Sequence, residues 1–570
     1  MRRTRRSSRY WIALGAIVLL FMVVGSRIAY ISINQHAWYR ETSAAQDGAT
    51  TNVLVRGNIY LARLSGGSIL AATNQRFPLL IATPAKILSE DIENISNKLS
   101  EILSIDKSTI KQSLTAQQDN RIVARKLTEE QVSRISDLKI QGIAIGNETD
   151  RSYPLGNLSA DALGFLGYTK DGRAGQYGVE EAYEKALVGT PPDPAPTWSA
   201  IKSIAALFKK EEKKADEQSR QQEDIELSID QEIQTKAEDI LDRTIRQYKA
   251  ASGVVIVQEP KTGRILALAD RPSFDPNKYG SSPITNFQNS ALESFEPGSS
   301  FKPITMAIAL ENNLLNPQTT YNDDHDVVVD GYTIKNFNEG HFGLVTMTKV
   351  LEKSINTGMI YVQSVIGNDR FLSGLTDFEF GQKTGVDLPN EAVGNIENLY
   401  TGRKINFMTA SFGQGISVTP IQLISAYSAI ANGGNLMKPT IVQAFIDSRG
   451  NRREVSPEIR STPIRAQTAS TLKSMLVSVV DQGFDKARIF GYDIAGKTGT
   501  AQISNPKGGY LEGQYNHSFV GFAPASNPRF TIFMKIERPK GITFAADSLS
   551  PAFRELAQFL IQYFSIPPTR

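Results

Sequence analysis

Along the chain, the spacing of hydrophobic and polar positions predicts four regions of different character. An apolar run covers residues 11–33, with one charge at Arg27 near its outer end. Residues 34–190 mix short alternating strands with helical pieces at 84–103 and 129–138, where apolar positions recur at helical spacing. Residues 191–222 combine four prolines with an apolar and then a highly charged stretch, and longer elements follow from about residue 223.

The last region has the pattern of a sheet enclosed by helices. Its expected elements are a helix beginning near Asp230, a hairpin across 254–268, long helices after Pro303 and over 346–365, and closing strands near Ala501 and Phe530. A helical start, a mostly antiparallel sheet and helices on its faces predict an α+β or α/β sandwich.

The apolar run at 11–33 is long enough to cross a bilayer, because about 20 helical residues span the hydrocarbon core. Five arginines within residues 1–10 favour a cytoplasmic N-terminus, and Arg27 can reach the outer headgroups. We therefore expect a cytoplasmic tail at 1–10, a single-pass plasma-membrane anchor at 11–33, and everything after it outside. A cleaved signal peptide and a buried core helix are the alternatives, although no convincing small-x-small cleavage site follows.

Composition narrows the class of protein. With 570 residues, 41% of them hydrophobic and 21% charged, the chain is an ordinary globular protein of two or three domains. Its net charge is +3, so without the five N-terminal arginines it is 3 − 5 = −2, which argues against nucleic-acid binding. The absence of cysteine from the sequence excludes disulfides, thiolate zinc sites and cysteine nucleophiles. The four histidines are scattered along the sequence, which argues against a metal site and against a Ser-His-Asp triad.

Candidate chemistry begins with Ser-x-x-Lys, which puts a hydroxyl and an amine one helical turn apart, so that a neutral lysine could take the hydroxyl proton. The pattern begins at seven serines: Ser104, Ser108, Ser136, Ser199, Ser299, Ser470 and Ser504. Only Ser299 follows a Pro-Gly turn and opens an apolar helix, where backbone N–H groups favour developing negative charge. Its lysine is Lys302, and a plain helix N-cap is the alternative for Ser299.

Lys-Thr-Gly is also repeated, at Lys261, Lys383 and Lys497. The first fits a hairpin turn and the second a loop. Only the third, followed by Thr500, has alternating polar residues that would line one face of a strand. Such a strand can present a lysine and two hydroxyls to a substrate carboxylate, and an edge N–H to an oxyanion.

The third signal is Ser354-x-Asn356 at the head of a helix, for which helix capping is the simpler explanation taken alone. The same pattern at Ser32 lies in the expected anchor. The order of the three motifs is more specific than any one of them. Ser-x-x-Lys, Ser-x-Asn and Lys-Thr-Gly in succession form the set found in penicillin-binding proteins and class A β-lactamases.

With these motifs the chain resembles the class B penicillin-binding proteins, and the resemblance covers most of the expected exterior part. Family-like segments of the catalytic part lie at 273–277, 412–422, 431–434 and 517–524, and those of the N-terminal part at 56–59, 151–154 and 175–180. The chain departs from the family in a degraded continuation after Arg56-Gly57 and in the long 191–222 stretch.

The resemblance implies a multidomain α+β protein. A transpeptidase domain at 223–570, with a central antiparallel sheet and helices on both sides as in the serine β-lactamases, would follow an elongated α+β pedestal at 34–190. Residues 191–222 would be a linker. Within it, the apolar side chains of 198–208 fall mostly on one helical face, which suggests a segment resting on the outer membrane surface or on a membrane partner. A helical linker packed on its own domain is the alternative.

The resemblance also implies a D,D-transpeptidase reaction without a cofactor. Ser299 would attack the penultimate D-alanine carbonyl of a stem peptide, with Lys302 as base. Ser354 would relay the proton to the leaving group, and Asn356 would hold the peptide amide.

The remaining roles fall on the third motif. Lys497 would keep Ser354 poised, Thr498, Gly499 and Thr500 would bind substrate, and backbone N–H groups of Ser299 and Thr500 would form the oxyanion hole.

Implied partners are the lipid-linked precursor and its stem peptides, a polytopic membrane glycosyltransferase, other division proteins, and β-lactams as covalent inhibitors. We favour a division role because of the chain length, the segment 413–420 and the lack of the family's additional C-terminal domain. An elongation enzyme, a β-lactam sensor or β-lactamase, and an inactive scaffold are the alternatives.

Overall fold

The structure is a computed structural model, and it describes residues 55–64, 66–115, 120–170, 172–189, 222–337, 340–505 and 508–570. The expected tail at 1–10, the expected anchor at 11–33 and the amphipathic segment at 198–208 lie outside the described residues. Among the helices that are described, none combines the length and apolarity needed to cross a bilayer.

The first part of the described chain alternates strands and helices. In chain order these are β1 Ile59–Ala62, β2 Ser68–Ala82, α1 Ile92–Leu103, α2 Lys107–Leu114, β3 Arg121–Ala124, α3 Glu129–Asp137, β4 Ile143–Ser152, α4 Ala160–Leu163, β5 Phe165–Thr169, β6 Gly172–Gln176, α5 Gly178–Ala182 and α6 Glu184–Val188.

The elements from residue 222 onward include more long helices and strands, as the sequence predicts, although short strands lie between them. They are β7 Glu223–Asp230, α7 Gln231–Tyr248, β8 Ser252–Gln258, β9 Ile265–Arg271, α8 Lys302–Glu311, β10 Thr320–Asp323, β11 Val327–Val329, β12 Tyr332–Ile334, β13 Gly343–Thr346, α9 Met347–Glu352, α10 Asn356–Ile366, α11 Asn368–Asp377, α12 Lys404–Ala410, α13 Pro420–Asn432, β14 Leu436–Met437, β15 Val442–Asp447, β16 Arg452–Glu454, β17 Ile459–Ser461, α14 Ala466–Ser478, β18 Ala495–Ser504, β19 Tyr510–Ala523, β20 Phe530–Glu537 and α15 Ala545–Tyr563.

The chain forms two compact units, of which the smaller includes residues 74–151. Its core is built from α1 and α2 with the C-terminal half of β2, through buried side chains such as Leu80, Leu99 and Ile110. Helix α3 begins with a capping box, in which Thr128 and Gln131 each accept a hydrogen bond from the other's backbone N–H. The predicted helix at 129–138 is therefore confirmed to within one residue.

The larger unit contains residues 56–73 and 152–570. Its central sheet is antiparallel throughout, with the strand order β18-β19-β20-β8-β9. On one face, Phe553 of α15 stacks on Phe519 of β19 with ring centroids 4.2 Å apart. On the other face, Ser428 of α13 donates a hydrogen bond to Thr531 of β20. The expected antiparallel sheet with helices on both sides is confirmed.

Two predicted helices are wrong in extent. Residues 84–103 form a short 3-10 turn at Pro84–Lys86 and then α1 from Ile92, rather than one helix. The single helix expected over 346–365 is broken between α9 and α10, where Ser354 has a left-handed backbone with φ 54°. The hydrophobic pattern did not show this break. The motif did, since the sequence places Ser354-x-Asn356 at the head of a helix and α10 begins at Asn356.

Segments that the sequence assigned to the pedestal meet inside the larger unit. The buried Arg56 guanidinium contacts Glu180 at 2.8 Å and Glu184 at 2.8 Å, and the Tyr153 hydroxyl donates to Glu180 Oε1 at 3.2 Å. Three family-like segments, at 56–59, 151–154 and 175–180, thus converge on one buried carboxylate. The domain boundaries drawn from the sequence stay a prediction.

Candidate active site

A cleft of about 220 Å³ in the larger unit brings the three motifs together. Six of the predicted site residues line it: Ser299, Ser354, Asn356, Lys497, Thr498 and Thr500. Lys302 lies buried behind this surface and contacts the second motif directly, and Gly499 lies in the strand between Thr498 and Thr500.

The turn before the first motif is fixed by close backbone contacts. Gly298 has φ +54°, which favours glycine, and its N–H donates to the Gly413 carbonyl at 2.9 Å. A Cβ on Gly298 would lie 2.9 Å from the Cβ of Ala501, on the strand of the third motif. The 3-10 turn Gly298–Phe301 continues into α8, so the partly exposed Ser299 sits at a helix N-terminus, as predicted.

Lys302 is fully buried, and its amine has three oxygen neighbours from the second motif. Lys302 Nζ lies 2.5 Å from the Ser354 carbonyl oxygen, 3.1 Å from Ser354 Oγ and 2.8 Å from Asn356 Oδ1. Burial, and then the nearby charge of Lys497, lower the pKa of Lys302 well below its ordinary value. A neutral amine at this position can accept a proton from a serine hydroxyl.

The second motif occupies the break between α9 and α10. Ser354 takes the left-handed conformation, and its N–H donates to the Leu351 carbonyl at 3.2 Å. Positive φ is uncommon outside glycine and is often found at functional sites. The break exposes the Ser354 hydroxyl to the cleft while its backbone carbonyl faces Lys302.

The third motif lies on β18, the edge strand of the central sheet. Lys497 is 1% exposed, its ammonium lies 5.9 Å from the centre of the Phe484 ring, and burial lowers its pKa to about 7. Thr498 and Thr500 are partly exposed at the cleft, and Thr500 Oγ1 accepts a hydrogen bond from the Ala545 N–H at 3.1 Å. This strand assignment was predicted from the alternating polar residues.

Gly499 shows why glycine stands between the two threonines. A Cβ at this position would lie 2.3 Å from Ser518 Oγ and 2.8 Å from the Pro297 carbonyl. Real side chains do not tolerate such contacts with backbone. Glycine therefore lets β18 approach the turn that carries Ser299.

Other matches to the same short patterns lie elsewhere. Lys261 occupies the turn between β8 and β9, as predicted, and Lys383 lies in a loop after α11. Neither is among the residues that line the cleft. The structural context, rather than the motif letters, separates the candidate site from these repeats.

Sequence reasoning missed several residues of the cleft. They are Asn336, Phe337, Phe342, Glu352, Lys353, Phe412, Gln414, Gly483, Phe484, Phe544 and Ala546. Most of them lie in loops or at element ends far along the chain from the motifs. Glu352 and Lys353 directly precede Ser354, and Phe412 and Gln414 lie in a segment already singled out as family-like, whereas no local pattern could have found the others.

His517 lies opposite Thr500 in the pairing of β18 with β19. It is fully buried, Ser548 Oγ lies 2.8 Å from its Nδ1, and the Thr543 carbonyl lies 3.1 Å from its Nε2. Burial lowers its pKa to about 4, so the ring is neutral near pH 7. Its contacts hold the start of α15 beside the cleft. Within the part of the chain that the structure describes, no cluster of carboxylates and histidines is arranged to bind a metal.

Comparison with protein families gives two matches along the chain. Residues 253–558 match the penicillin binding protein transpeptidase domain, and residues 53–193 match the penicillin-binding protein dimerisation domain. The first match contains all eight predicted site residues.

Individual proteins are similar over most of the chain. Stage V sporulation protein D of Bacillus subtilis is 30% identical, over 97% of this chain and 85% of that protein. Peptidoglycan D,D-transpeptidase FtsI of Buchnera aphidicola is 29% identical, over 99% of this chain and 96% of that protein. Among solved structures, penicillin binding protein 3 of Mycobacterium tuberculosis in complex with aztreonam is 29% identical with a TM-score of 0.65, over 74% of this chain and 92% of that one.

Proposed function

The chain belongs to the class B penicillin-binding proteins, and from this premise we propose that Ser299 is the nucleophile with which it cross-links peptidoglycan stem peptides. It is a serine-type D,D-transpeptidase. The observation that carries the assignment to Ser299 is the convergence of its turn, two buried lysines and the Ser354/Asn356 pair around one cleft.

In the acylation step, Ser299 Oγ forms a bond to the penultimate D-alanine carbonyl carbon, and the bond from that carbon to the terminal D-alanine nitrogen breaks. The serine proton passes to Lys302, whose pKa is held well below its ordinary value by burial and by the charge of Lys497. The proton then reaches the leaving nitrogen through Ser354, whose Oγ lies 3.1 Å from the lysine amine. An amine of a neighbouring strand then forms a bond to the acyl carbon, the bond from that carbon to Ser299 Oγ breaks, and the proton lost by the amine returns to Ser299 Oγ.

Thr498 and Thr500 bind the terminal carboxylate of the stem peptide. Both present hydroxyls to the cleft from an edge strand, whose outward N–H groups have no neighbouring strand among the residues that the structure describes. The N–H of Thr500 and that of Ser299 at its helix N-terminus form the oxyanion hole. Losing one such donor typically costs about 10²- to 10³-fold in rate.

The decisive experiment is labelling of the full-length protein with a fluorescent penicillin, which acylates the same nucleophile. Wild type should give a covalent adduct, and Ser299→Ala should give none. Ser300→Ala is the matched control, since Ser300 is buried and donates to the Pro297 carbonyl at 2.7 Å. An adduct that persists in Ser299→Ala would refute the assignment of the nucleophile.

A β-lactamase would share the three motifs, so the lifetime of the adduct has to be measured as well. We expect a penicilloyl adduct that persists for many minutes, because water should be a poor substitute for the acceptor amine. Turnover of excess penicillin by the wild type would identify a hydrolase. An inactive scaffold would give no adduct at all.

For the cellular role we propose cell division. The similarity to a protein named FtsI supports it, while the similarity to a protein named for sporulation makes spore formation the second candidate. A functional fluorescent fusion should concentrate at midcell in growing cells. A sidewall pattern would indicate elongation, and a signal confined to sporulating cells would indicate the second candidate.

We further propose that residues 11–33 anchor the enzyme in the plasma membrane with the catalytic part outside, and that a polytopic glycosyltransferase supplies the glycan strands. The apolar run and the preceding arginines support the anchor. Removal of residues 1–33 should move the protein from the membrane fraction to the soluble fraction. Persistence in the membrane fraction would contradict a single anchor.

A further inference from the structure

Helix α10, which carries Asn356 as its first residue, begins without a cap of its own. Its N-cap position is Ile355, whose side chain can accept no hydrogen bond. The first N–H groups of a helix have no partner inside the helix, and leaving them unpaired in a buried position is costly. The cap comes instead from a residue 20 positions earlier in the sequence.

Asn336 supplies this cap from the loop that lines the cleft. Its Oδ1 accepts from the N–H of Asn356 at 2.9 Å and from the N–H of Thr357 at 3.2 Å. The neighbouring Lys335 carbonyl accepts from Asn356 Nδ2 at 3.1 Å. Backbone and side chain of Asn356 are therefore both held by the same two residues, which turns Asn356 Oδ1 toward Lys302.

Asp323 in turn fixes the orientation of the Asn336 amide. This carboxylate is fully buried, and its Oδ2 accepts from Asn336 Nδ2 at 3.1 Å and from the Phe342 N–H at 3.0 Å. The Gly340 carbonyl accepts a second hydrogen bond from Asn336 Nδ2 at 2.9 Å. With both amide protons taken, the oxygen of Asn336 has to point at the helix. Thr357 Oγ1 completes the network by donating to Asp323 Oδ1 at 2.6 Å.

We propose that Asn336, oriented by Asp323, is a positioning residue. It aligns Asn356, and through Asn356 it holds the Lys302 amine where it can take the proton of Ser299 during attack on the substrate. The proposal rests on the function proposed above. It extends the site by a hydrogen-bonded chain from Asp323 through Asn336 and Asn356 to Lys302, with the links at 3.1, 2.9 and 2.8 Å. Neither Asp323 nor Asn336 belongs to any of the three motifs.

The test compares two variants that each remove one partner of the buried Asp323. Asn336→Ala also removes the cap from Asn356. Thr357→Val leaves the hydrogen bond from the Asn356 N–H to Asn336 Oδ1 in place and, of the contacts with that oxygen, removes only the one from Thr357 Oγ1 at 3.2 Å. For Asn336→Ala we expect the limiting rate of acylation by a fluorescent penicillin to fall about 10- to 100-fold, because small misplacements of reacting groups have effects of that size. The half-saturating concentration should change little, since Thr498 and Thr500 lie outside the network.

Thr357→Val should lower the melting temperature about as much as Asn336→Ala does, but change the acylation rate less than about threefold. Equal losses of rate in both variants would mean that the network is only structural and would overturn the proposal. An unchanged rate in Asn336→Ala would overturn it as well.

A second measurement remains decisive if Asn336→Ala folds poorly. Asn336→Asp alone places two carboxylates side by side and should acylate slowly. Combining it with Asp323→Asn exchanges the two side chains and keeps one amide beside one carboxylate. It should recover part of the rate, because the Gly340 carbonyl still lacks its donor. An exchange no faster than the single variant would refute the role of Asp323. Ser299→Ala in the same assay separates the two claims, since an adduct there would end the proposed function itself.

Discussion

At the scale of single residues, two buried lysines set the chemistry of the cleft. Lys302 has three oxygen acceptors within 3.1 Å, whereas Lys497 donates to the Thr498 carbonyl at 3.2 Å and lies over an aromatic ring. Burial lowers the pKa of both, and repulsion from Lys497 lowers that of Lys302 further. The charge of Lys497 thus makes Lys302 easier to deprotonate, whereas burial alone accounts for the lowered pKa of Lys497.

The low pKa of Lys497 predicts a cost in stability. Because its pKa falls from an ordinary value of 10.5 to about 7 on folding, the unfolded chain holds this proton more tightly. Stability should therefore rise as the pH increases from about 7 toward 10.5. At pH 6, Lys497→Met should be more stable than wild type by on the order of a few kcal/mol and should melt at a higher temperature. This difference in stability should become smaller as the pH increases. Acylation should be lost.

Lys261→Met provides the control for this measurement. It removes a lysine from the same three-letter motif, but in an exposed hairpin turn where the amine contacts Asn527 at 3.1 Å. Its melting temperature should follow that of wild type at every pH. A constant difference between Lys497→Met and wild type across the pH range would contradict the assigned pKa.

At the scale of elements, the site is made by the close approach of strand β18 to the turn before α8. Gly298 and Gly499 lie at the contact, where added Cβ atoms would meet Ala501 and Ser518. The strand and the helix were both predicted from the sequence. Their contact was not, because the hydrophobic pattern reports which face is buried and not which neighbour covers it.

Gly499→Ala tests this contact. The new methyl group would lie 2.8 Å from the Pro297 carbonyl, so strand and turn would have to move apart. We expect a loss of stability of about 1–3 kcal/mol, as for other overpacked sites, and a slower acylation by penicillin. Thermal melting and stopped-flow labelling would measure the two effects.

Gly280→Ala is the matched control, because a Cβ there meets nothing within 4 Å. It should leave melting temperature and acylation unchanged. If Gly499→Ala behaves in the same way, β18 does not approach the turn closely enough for the methyl group to clash.

The break between α9 and α10 belongs to the same scale. The sequence predicts one helix over 346–365, whereas the structure has two, with Ser354 between them at φ 54°. The break is stabilised by contacts that are distant in sequence, among them the Lys302 amine and the cap from Asn336. Local propensity was overruled by tertiary hydrogen bonds.

At the scale of the whole molecule, the larger unit includes residues from both ends of the described chain. Arg56 is fully buried and pairs with Glu180 and Glu184, all within this unit. Tyr153 joins the same cluster through its hydroxyl. The three family-like segments of the N-terminal part therefore share one structural role, because each supplies a side chain to the buried cluster around the Arg56–Glu180 ion pair.

Arg56→Ala should be strongly destabilising. It leaves the buried Glu180 carboxylate without its cation, and breaking a buried pair from one side typically costs about 3–5 kcal/mol. We expect a melting temperature several degrees lower in the full-length protein. Arg63→Ala, an exposed arginine that contacts Gln231, should have almost no effect. Similar melting of the two variants would contradict the importance of the cluster.

The sequence by itself determined which serine, which lysines and which strand were the candidates, because the order of three short motifs and their local helix or strand context are properties of neighbouring residues. It also predicted the antiparallel sheet with helices on both faces. The tertiary structure alone decided the burial that lowers the pKa of Lys302 and Lys497, the glycine contact between strand and turn, and the cap that Asn336 provides. Desolvation and long-range hydrogen bonds depend on groups that are distant in sequence, and no local pattern records them.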